Sequence, residues 1–299
     1  HVAFNSQGVT LRGKLYLPDV HLSKSSVVLM AMGFTATISG MTADKYAIEF
    51  QKAGFAVLLY DHRNFGISDG EPRQEINFWV QSRGYIDALD YLSTRSDIDT
   101  SRIVIWGASL SAKEAFLVAA VDERVSAVIN VIPAFGDESP DMSKSNEIFT
   151  HTKRVLQSDR IMELSQAPTE TVPVVSPDQL NSPSALKELT AYRWFIEYGG
   201  RFGTNWSNLV SRSNVEELVS FHIGHFAPEL KTPVLLIVAT NDEMRGASTA
   251  ITKEVFDLIN SPKEWVDIDG GHFGLLHYPS TIFDKSSQAQ ISFLKRTFS

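Results

Sequence analysis

The sharpest chemical feature of the sequence is a serine at the junction of an apolar run and a helical pattern. Ile103-Val104-Ile105-Trp106-Gly107-Ala108-Ser109-Leu110-Ser111-Ala112 reads as a buried strand running straight into a helix, with Ser109 at the turn. Such a turn lifts a hydroxyl clear of the sheet edge. It also aims the first N–H groups of the helix at the place where an oxyanion would form. The pattern falls one residue short of G-x-S-x-G, because Ser111 stands where the second glycine is expected. Ser109 could equally serve as a helix N-cap, a position serine favours. Its partners decide between the two roles.

A serine hydroxyl needs a base to take its proton, and an imidazole base needs a carboxylate to fix its tautomer. Open α/β sheets collect such groups beyond the C-terminal ends of their strands. Two strand ends supply them. Ala239-Thr240-Asn241-Asp242-Glu243 follows the apolar run 234–238, and Asp269-Gly270-Gly271-His272-Phe273 follows the run 264–268. The stretch between Asp242 and His272 holds one helix and one strand. Asp242 is read as the acid and Glu243 as its local competitor, while Asp267 and Asp269 read as strand-end and turn residues.

The other histidines have plainer readings. His62, in Asp61-His62-Arg63-Asn64-Phe65-Gly66, shapes the loop after the strand at 56–60. His222-Ile223-Gly224-His225 spaces two histidines three apart, but Glu229 is the nearby carboxylate and zinc requires a fuller ligand set. His277 is the rival to His272, past the Gly-Gly turn and near the start of the last helix. His1, His21 and His151 belong to no constellation.

The elements that must position these groups follow from periodicity. Strands are expected at 10–16, 27–31, 56–60, 103–106, 126–131, 234–238 and 264–268, with a further edge strand near 2–4. Helices are expected at 42–53, 78–94, 110–121, 248–259 and 280–298. Strands alternating with helices predict an α/β fold, a mostly parallel, doubly wound sheet with an antiparallel edge formed by its first strands. Between the sixth and seventh core strands lie about a hundred residues, too many for a plain loop. Residues 135–228 are therefore expected to form a helical lid inserted into a core of residues 1–134 and 229–299. Ser182-Pro183 reads as a helix start, and Ser213-x-x-Glu216 as a capping box. The stretch 166–183 carries Pro168, Pro173, Pro177 and Pro183, which marks an irregular crossing. The lid aromatics Tyr192, Trp194, Phe195, Phe202 and Trp206 either pack its core or line an apolar substrate chamber; Trp194, Phe195 and Trp206 are the substrate-binding candidates.

Composition narrows the function. The 299 residues are 43% hydrophobic and 21% charged, ordinary for a globular chain. Twenty-seven Lys and Arg against 35 Asp and Glu give a net charge of −8, so neither nucleic acid nor a membrane surface is an expected partner. There is no cysteine, which excludes thiolate nucleophiles, disulfide scaffolds and Cys-ligated metal. It is compatible with a cytoplasmic location, the expectation here. The first residue is His1, so a removed targeting segment is left open, as is a homodimer.

Taken together, the serine turn, Asp242 and His272 resemble the α/β-hydrolase superfamily over essentially the whole chain. Asp61-His62-Arg63-Asn64-Phe65-Gly66-Ile67-Ser68 looks like that superfamily's D-x-R-G-x-G-x-S stretch, with Asn64 in place of the first glycine. More narrowly, Met32-Gly33-Phe34-Thr35 and Gly271-His272-Phe273-Gly274 are similar to the fungal polyketide transferase family, whose members act beside polyketide synthases as thiohydrolases or acyltransferases. The resemblance implies a Ser109–Asp242–His272 triad in the order serine, acid, histidine. It also implies an oxyanion hole made by the backbone N–H groups of Phe34 and Leu110. It implies no cofactor, no metal, and a hydrophobic small-molecule or carrier-bound acyl substrate held as an ester or thioester. The alternative is a protein of secondary metabolism that keeps the fold but binds or cyclises its ligand, or cleaves a C–C bond in it. An aspartate at the elbow would point to an epoxide hydrolase or dehalogenase; Ser109 argues against both.

Overall fold

The computed structural model describes residues 1–19, 24–158, 170–211 and 219–298. Eight strands form one sheet in the order β1-β2-β4-β3-β5-β6-β7-β8. They are β1 (Val2–Ser6), β2 (Val9–Tyr16), β3 (Ser25–Ala31), β4 (Ala56–Tyr60), β5 (Ile98–Ala108), β6 (Val125–Val131), β7 (Val234–Ala239) and β8 (Lys263–Ile268). β1 pairs with β2, and β2 with β4, antiparallel; from β4 to β8 every pairing is parallel. The sequence explains this division. Val234–Ala239 is apolar and buried at every position, as a strand covered on both faces must be. In β1, by contrast, Phe4 is buried and its neighbours Ala3 and Asn5 are exposed.

The helices are α1 (Ala43–Lys52), α2 (Phe78–Ser93), α3 (Leu110–Val121), α4 (Ser145–Leu156), α5 (Leu189–Trp194), α6 (Thr249–Leu258) and α7 (Thr281–Thr297). They begin where the sequence offers caps: Asn77, Ser248 and Ser280 each accept an N–H from the first turn of α2, α6 and α7. Adjacent residues of β5 show which helices cover which face. Trp106 reaches Tyr46 of α1 and donates its indole N–H to Gln290 of α7 at 2.7 Å. The next residue, Gly107, faces the other way, where a Cβ would fall 2.2 Å from the Ser111 carbonyl oxygen of α3. Glycine is therefore required there. β5 ends at the centre of the sheet, and α3 is buried along most of its length.

Between β6 and β7 lie α4, α5, a π-helical turn at Phe195–Gly199 that continues α5, and 3₁₀ turns at Met142–Lys144 and Ile223–Glu229. The helix start expected at Ser182-Pro183 is not one. The chain there is neither helix nor strand, and Ala185 and Leu186 donate their N–H groups to the carbonyls of Pro173 and Val174. Pairing with a distant segment wins over the local signal, and the helix begins at Leu189 instead. The capping box at Ser213 and Glu216 lies outside the described residues.

Candidate active site

Ser109 occupies the turn from β5 to α3 with φ 58° and ψ −117°, a backbone conformation rare for a residue with a side chain. Its hydroxyl is turned to His272 rather than to the amides of its own helix: Oγ lies 3.0 Å from His272 Nε2. The other ring nitrogen, Nδ1, lies 2.8 Å from Asp242 Oδ2, and Asp242 Oδ1 accepts the Met244 N–H at 3.0 Å. The His272 and Asp242 side chains are 2% and 3% exposed, so solvent scarcely screens their contact. Three groups from the ends of β5, β7 and β8 thus form one hydrogen-bonded line.

Ser111 is accommodated by its hydroxyl. It accepts the Ala108 N–H at 2.9 Å and lies 2.9 Å from the carbonyl oxygens of Ala31 and Ala108, joining the elbow to the end of β3. The position needs a small side chain that can bond backbone, and serine meets both demands.

The loop after β3 runs against this turn. A Cβ on Gly33 would meet the Ala108 carbonyl oxygen at 2.4 Å, Leu110 N at 3.0 Å and Ser109 Cβ at 3.2 Å, so only glycine allows the approach. Phe34 and Leu110 both border the same chamber as Ser109. The same loop is anchored from below by Asp61, whose buried carboxylate accepts N–H groups from Ile38 and Ile67, each at 2.9 Å. Gly66 has φ +52° and would place a Cβ 2.0 Å from Asp61, which explains that glycine; Asn64 takes φ 74°, which asparagine tolerates better than most residues. Burial raises the Asp61 carboxyl to about 6, opposed by its two backbone hydrogen bonds. The Asp61–Ser68 stretch therefore supports the loop that carries Phe34.

Ser109 and His272 open into a chamber of about 420 Å³. Its walls include Phe34, Trp194, Phe195, Phe273 and Leu276. Trp194 and Phe195 meet edge to face, and both reach Phe273. Trp206, a substrate-binding candidate by sequence, is not among the wall residues. Its indole stacks behind Phe195 with centroids 5.5 Å apart, donates to Thr35 Oγ1 at 3.2 Å, and fills the space over Gly199. Phe202 is fully exposed and Tyr192 packs on the core.

Other groups were legible only in part. Glu243 does not compete for the His272 ring; its Oε2 accepts the His272 backbone N–H at 2.8 Å, and its Oε1 accepts the Thr190 hydroxyl. Partial burial would raise its pKa, but these hydrogen bonds prevail and lower it. Phe273, Leu276 and Lys113 also line the chamber, and the sequence marked none of them as a wall residue. Lys113, four residues after Ser109 on α3, could have been found from helical spacing alone. His277 lies beside Tyr198, away from the triad line. His225 pairs with Ser145, and among the described residues no cluster of three His, Asp or Glu could hold a metal ion. No helix among them is long and apolar enough to cross a membrane.

Known proteins resemble this chain over nearly its whole length. It is 27% identical to the quorum-quenching protein AidA of Acinetobacter baumannii, over 99% of this chain and 94% of that one. It is 28% identical to the polyketide transferase ATR5 of Stachybotrys chlorohalonatus, over 97% and 94%. With the thiohydrolase aneE of Aspergillus aculeatus the identity is 29%, over 96% and 90%. Among solved structures, DcsB in complex with its substrate analogue matches with a TM-score of 0.77 at 24% identity, covering 99% of this chain and 98% of that one. The α/β hydrolase GrgF from Penicillium sp. sh18 matches with a TM-score of 0.75 at 24% identity, covering 99% and 97%. The family model described as alpha/beta hydrolase fold matches residues 27–278, and the chain belongs to that family.

Proposed function

We propose that the protein is a cofactor-free serine hydrolase or acyltransferase acting on an ester or thioester of a hydrophobic acyl or polyketide group. The observation that carries this reading is the Ser109–His272–Asp242 line, with hydrogen bonds of 3.0 Å and 2.8 Å, opening into a chamber with a largely aromatic and aliphatic wall. The names of the relatives, polyketide transferase and thiohydrolase, agree with it.

The chemistry follows from the positions of the groups. Ser109 Oγ attacks the carbonyl carbon as its proton passes to His272 Nε2, and Asp242 stabilises the imidazolium that forms. The carbonyl oxygen becomes an oxyanion facing the backbone N–H groups of Phe34 and Leu110. Collapse of this intermediate breaks the C–S or C–O bond. His272 returns the proton to the departing thiol or alcohol, and the acyl group remains on Ser109. Water, or an acceptor hydroxyl, then attacks the acyl-serine with His272 again as base, which frees Ser109. Residues 135–228 act as the lid. Their aromatic wall at Trp194 and Phe195 takes the acyl chain, and how well it excludes water sets the ratio of transfer to hydrolysis.

The test is a series of N-acetylcysteamine thioesters of increasing acyl length, with thiol release and product identity followed for the wild type and Ser109→Ala. The reading expects turnover that rises with chain length and is lost in the variant. Turnover that persists in Ser109→Ala would overturn it.

A further inference from the structure

The loop that carries Phe34 holds a strained residue, Thr35. Its φ is 56°, left-handed backbone that a β-branched side chain rarely adopts. The Ala36 N–H donates to the Phe34 carbonyl at 2.8 Å and to the Gly33 carbonyl at 3.0 Å, which closes a γ-turn about Thr35 in its positive-φ form, the strained one. The Phe34 N–H takes no part in these bonds. A conformation of this kind persists only where its surroundings over-determine it, and such residues collect at functional sites.

What holds Thr35 comes from the lid. Its side chain is buried, and Oγ1 accepts the Trp206 indole N–H at 3.2 Å. The same two segments meet again where the Thr37 hydroxyl donates to the Thr204 carbonyl at 2.6 Å. Thr204 in turn fixes the backbone that bears the indole: its Oγ1 donates to the Gly199 carbonyl at 2.6 Å and accepts the Trp206 N–H at 3.3 Å. The ring itself lies over Gly199, where a Cβ would meet it at 2.6 Å, and stacks on Phe195, a wall of the chamber. One indole therefore supports the acyl-chain wall through Phe195 and the loop of Phe34 through Thr35.

We propose that Trp206 is a positioning residue for the oxyanion hole: its indole N–H, bonded to Thr35, holds the turn that aims the Phe34 N–H at the oxyanion formed on attack by Ser109. This rests on the reading of Ser109 as nucleophile. A donor aimed in advance at developing charge stabilises the transition state more than the bound substrate, so loosening the turn costs kcat and leaves KM nearly as it was.

The test uses three variants. Trp206→Phe keeps an aromatic ring behind Phe195 and removes the N–H; Thr35→Val keeps the shape and removes the acceptor; Thr35→Ser keeps the acceptor. Each is assayed with the hexanoyl N-acetylcysteamine thioester and with pentyl trifluoromethyl ketone as inhibitor. Ser109 Oγ adds to the ketone carbon, its proton passes to His272, and the ketone oxygen becomes the oxyanion, with no group expelled. Trp206→Phe and Thr35→Val are each expected to lower kcat about tenfold and to weaken the ketone by about the same factor, with KM changed less than about threefold. Because they cut one bond, the double variant is expected to lose no more than either single one, and Thr35→Ser to regain most of what Thr35→Val loses.

A wild type that the ketone inhibits, with inhibition unchanged in Trp206→Phe and Thr35→Val, overturns the role of Trp206 and leaves the nucleophile standing. So does a loss that falls on KM, a double variant whose losses multiply, or a Thr35→Ser as impaired as Thr35→Val at the wild-type melting temperature. Where Trp206→Phe lowers the melting temperature, Thr35→Val, which leaves the lid intact, decides. A wild type that the ketone does not inhibit, or thioester turnover that persists in Ser109→Ala, discards the nucleophile and this proposal with it.

Discussion

His272 with Asp242, and His62 with Glu114, are both buried imidazole–carboxylate pairs, at 2.8 Å and 3.1 Å. They differ in everything around them. His272 has a hydrogen-bonded partner at each ring nitrogen, and one of them is a hydroxyl that borders a chamber. His62 is enclosed by the rings of Tyr60 and Tyr85, with centroids 5.5 Å and 5.7 Å away. Among the described residues, neither its ring nitrogens nor the Glu114 oxygens have a hydrogen bond in line. Burial holds the Glu114 pKa above its usual value, against the pull of His62 and Lys113. Proximity of an imidazole and a carboxylate is thus a poor marker of catalysis. A third group in line and a path for substrate are what distinguish the two.

The largest contrast between the pairs is in turnover. Ser109→Ala and His272→Ala are each expected to lower thioester turnover by about 10⁴-fold or more, as members of a unit that fails together. His62→Gln is expected to stay within about threefold of wild type in rate and to lower the melting temperature by a few degrees. A comparable loss of rate in His62→Gln would erase the distinction. Asp242→Asn follows, with about 10³- to 10⁴-fold lost from kcat and little change in fold, because the amide cannot hold the same imidazole tautomer. Circular dichroism beside steady-state kinetics checks both halves of that statement.

Glu243 sharpens the comparison from within the site. It fixes the backbone of His272, not the ring, so Glu243→Ala is expected to reduce kcat by about 10- to 100-fold with KM little altered. A rise in KM alone would assign Glu243 to substrate binding instead.

The smallest effect concerns the sealed pair. With its folded pKa raised, Glu114 holds its proton more tightly in the native state than in the unfolded chain. Its contribution is therefore fully favourable below about 4.5 and is lost as pH rises through the folded value. Glu114→Gln stays neutral at every pH. The difference in melting temperature, variant minus wild type, should therefore become more positive between pH 5 and pH 8. A difference that stays flat with pH would mean that Glu114 carries no such penalty.

Much of this arrangement was legible because it is local. The apolar run ending at Gly107-Ala108-Ser109 and the acidic and histidine turns after β7 and β8 each show the strand end from which a side chain must project. What was missed depends on contacts between distant segments. Trp206 looked like a chamber residue because sequence cannot tell which side of Phe195 an indole will stack on. Ser182-Pro183 carried a true helix-start signal, overruled by backbone pairing with Pro173 and Val174. Lys113 and Glu114 are neighbours on α3, and only the packed structure shows that Lys113 borders the chamber while Glu114 is sealed against His62.

The most direct measurement of the central claim is labelling with a fluorophosphonate, read by intact mass and peptide mapping in the wild type, Ser109→Ala, His272→Ala and His62→Gln. The account predicts one adduct, on Ser109, absent in Ser109→Ala, strongly slowed in His272→Ala and undiminished in His62→Gln. A folded wild type that takes no label, or an adduct on another residue that survives Ser109→Ala, would contradict it.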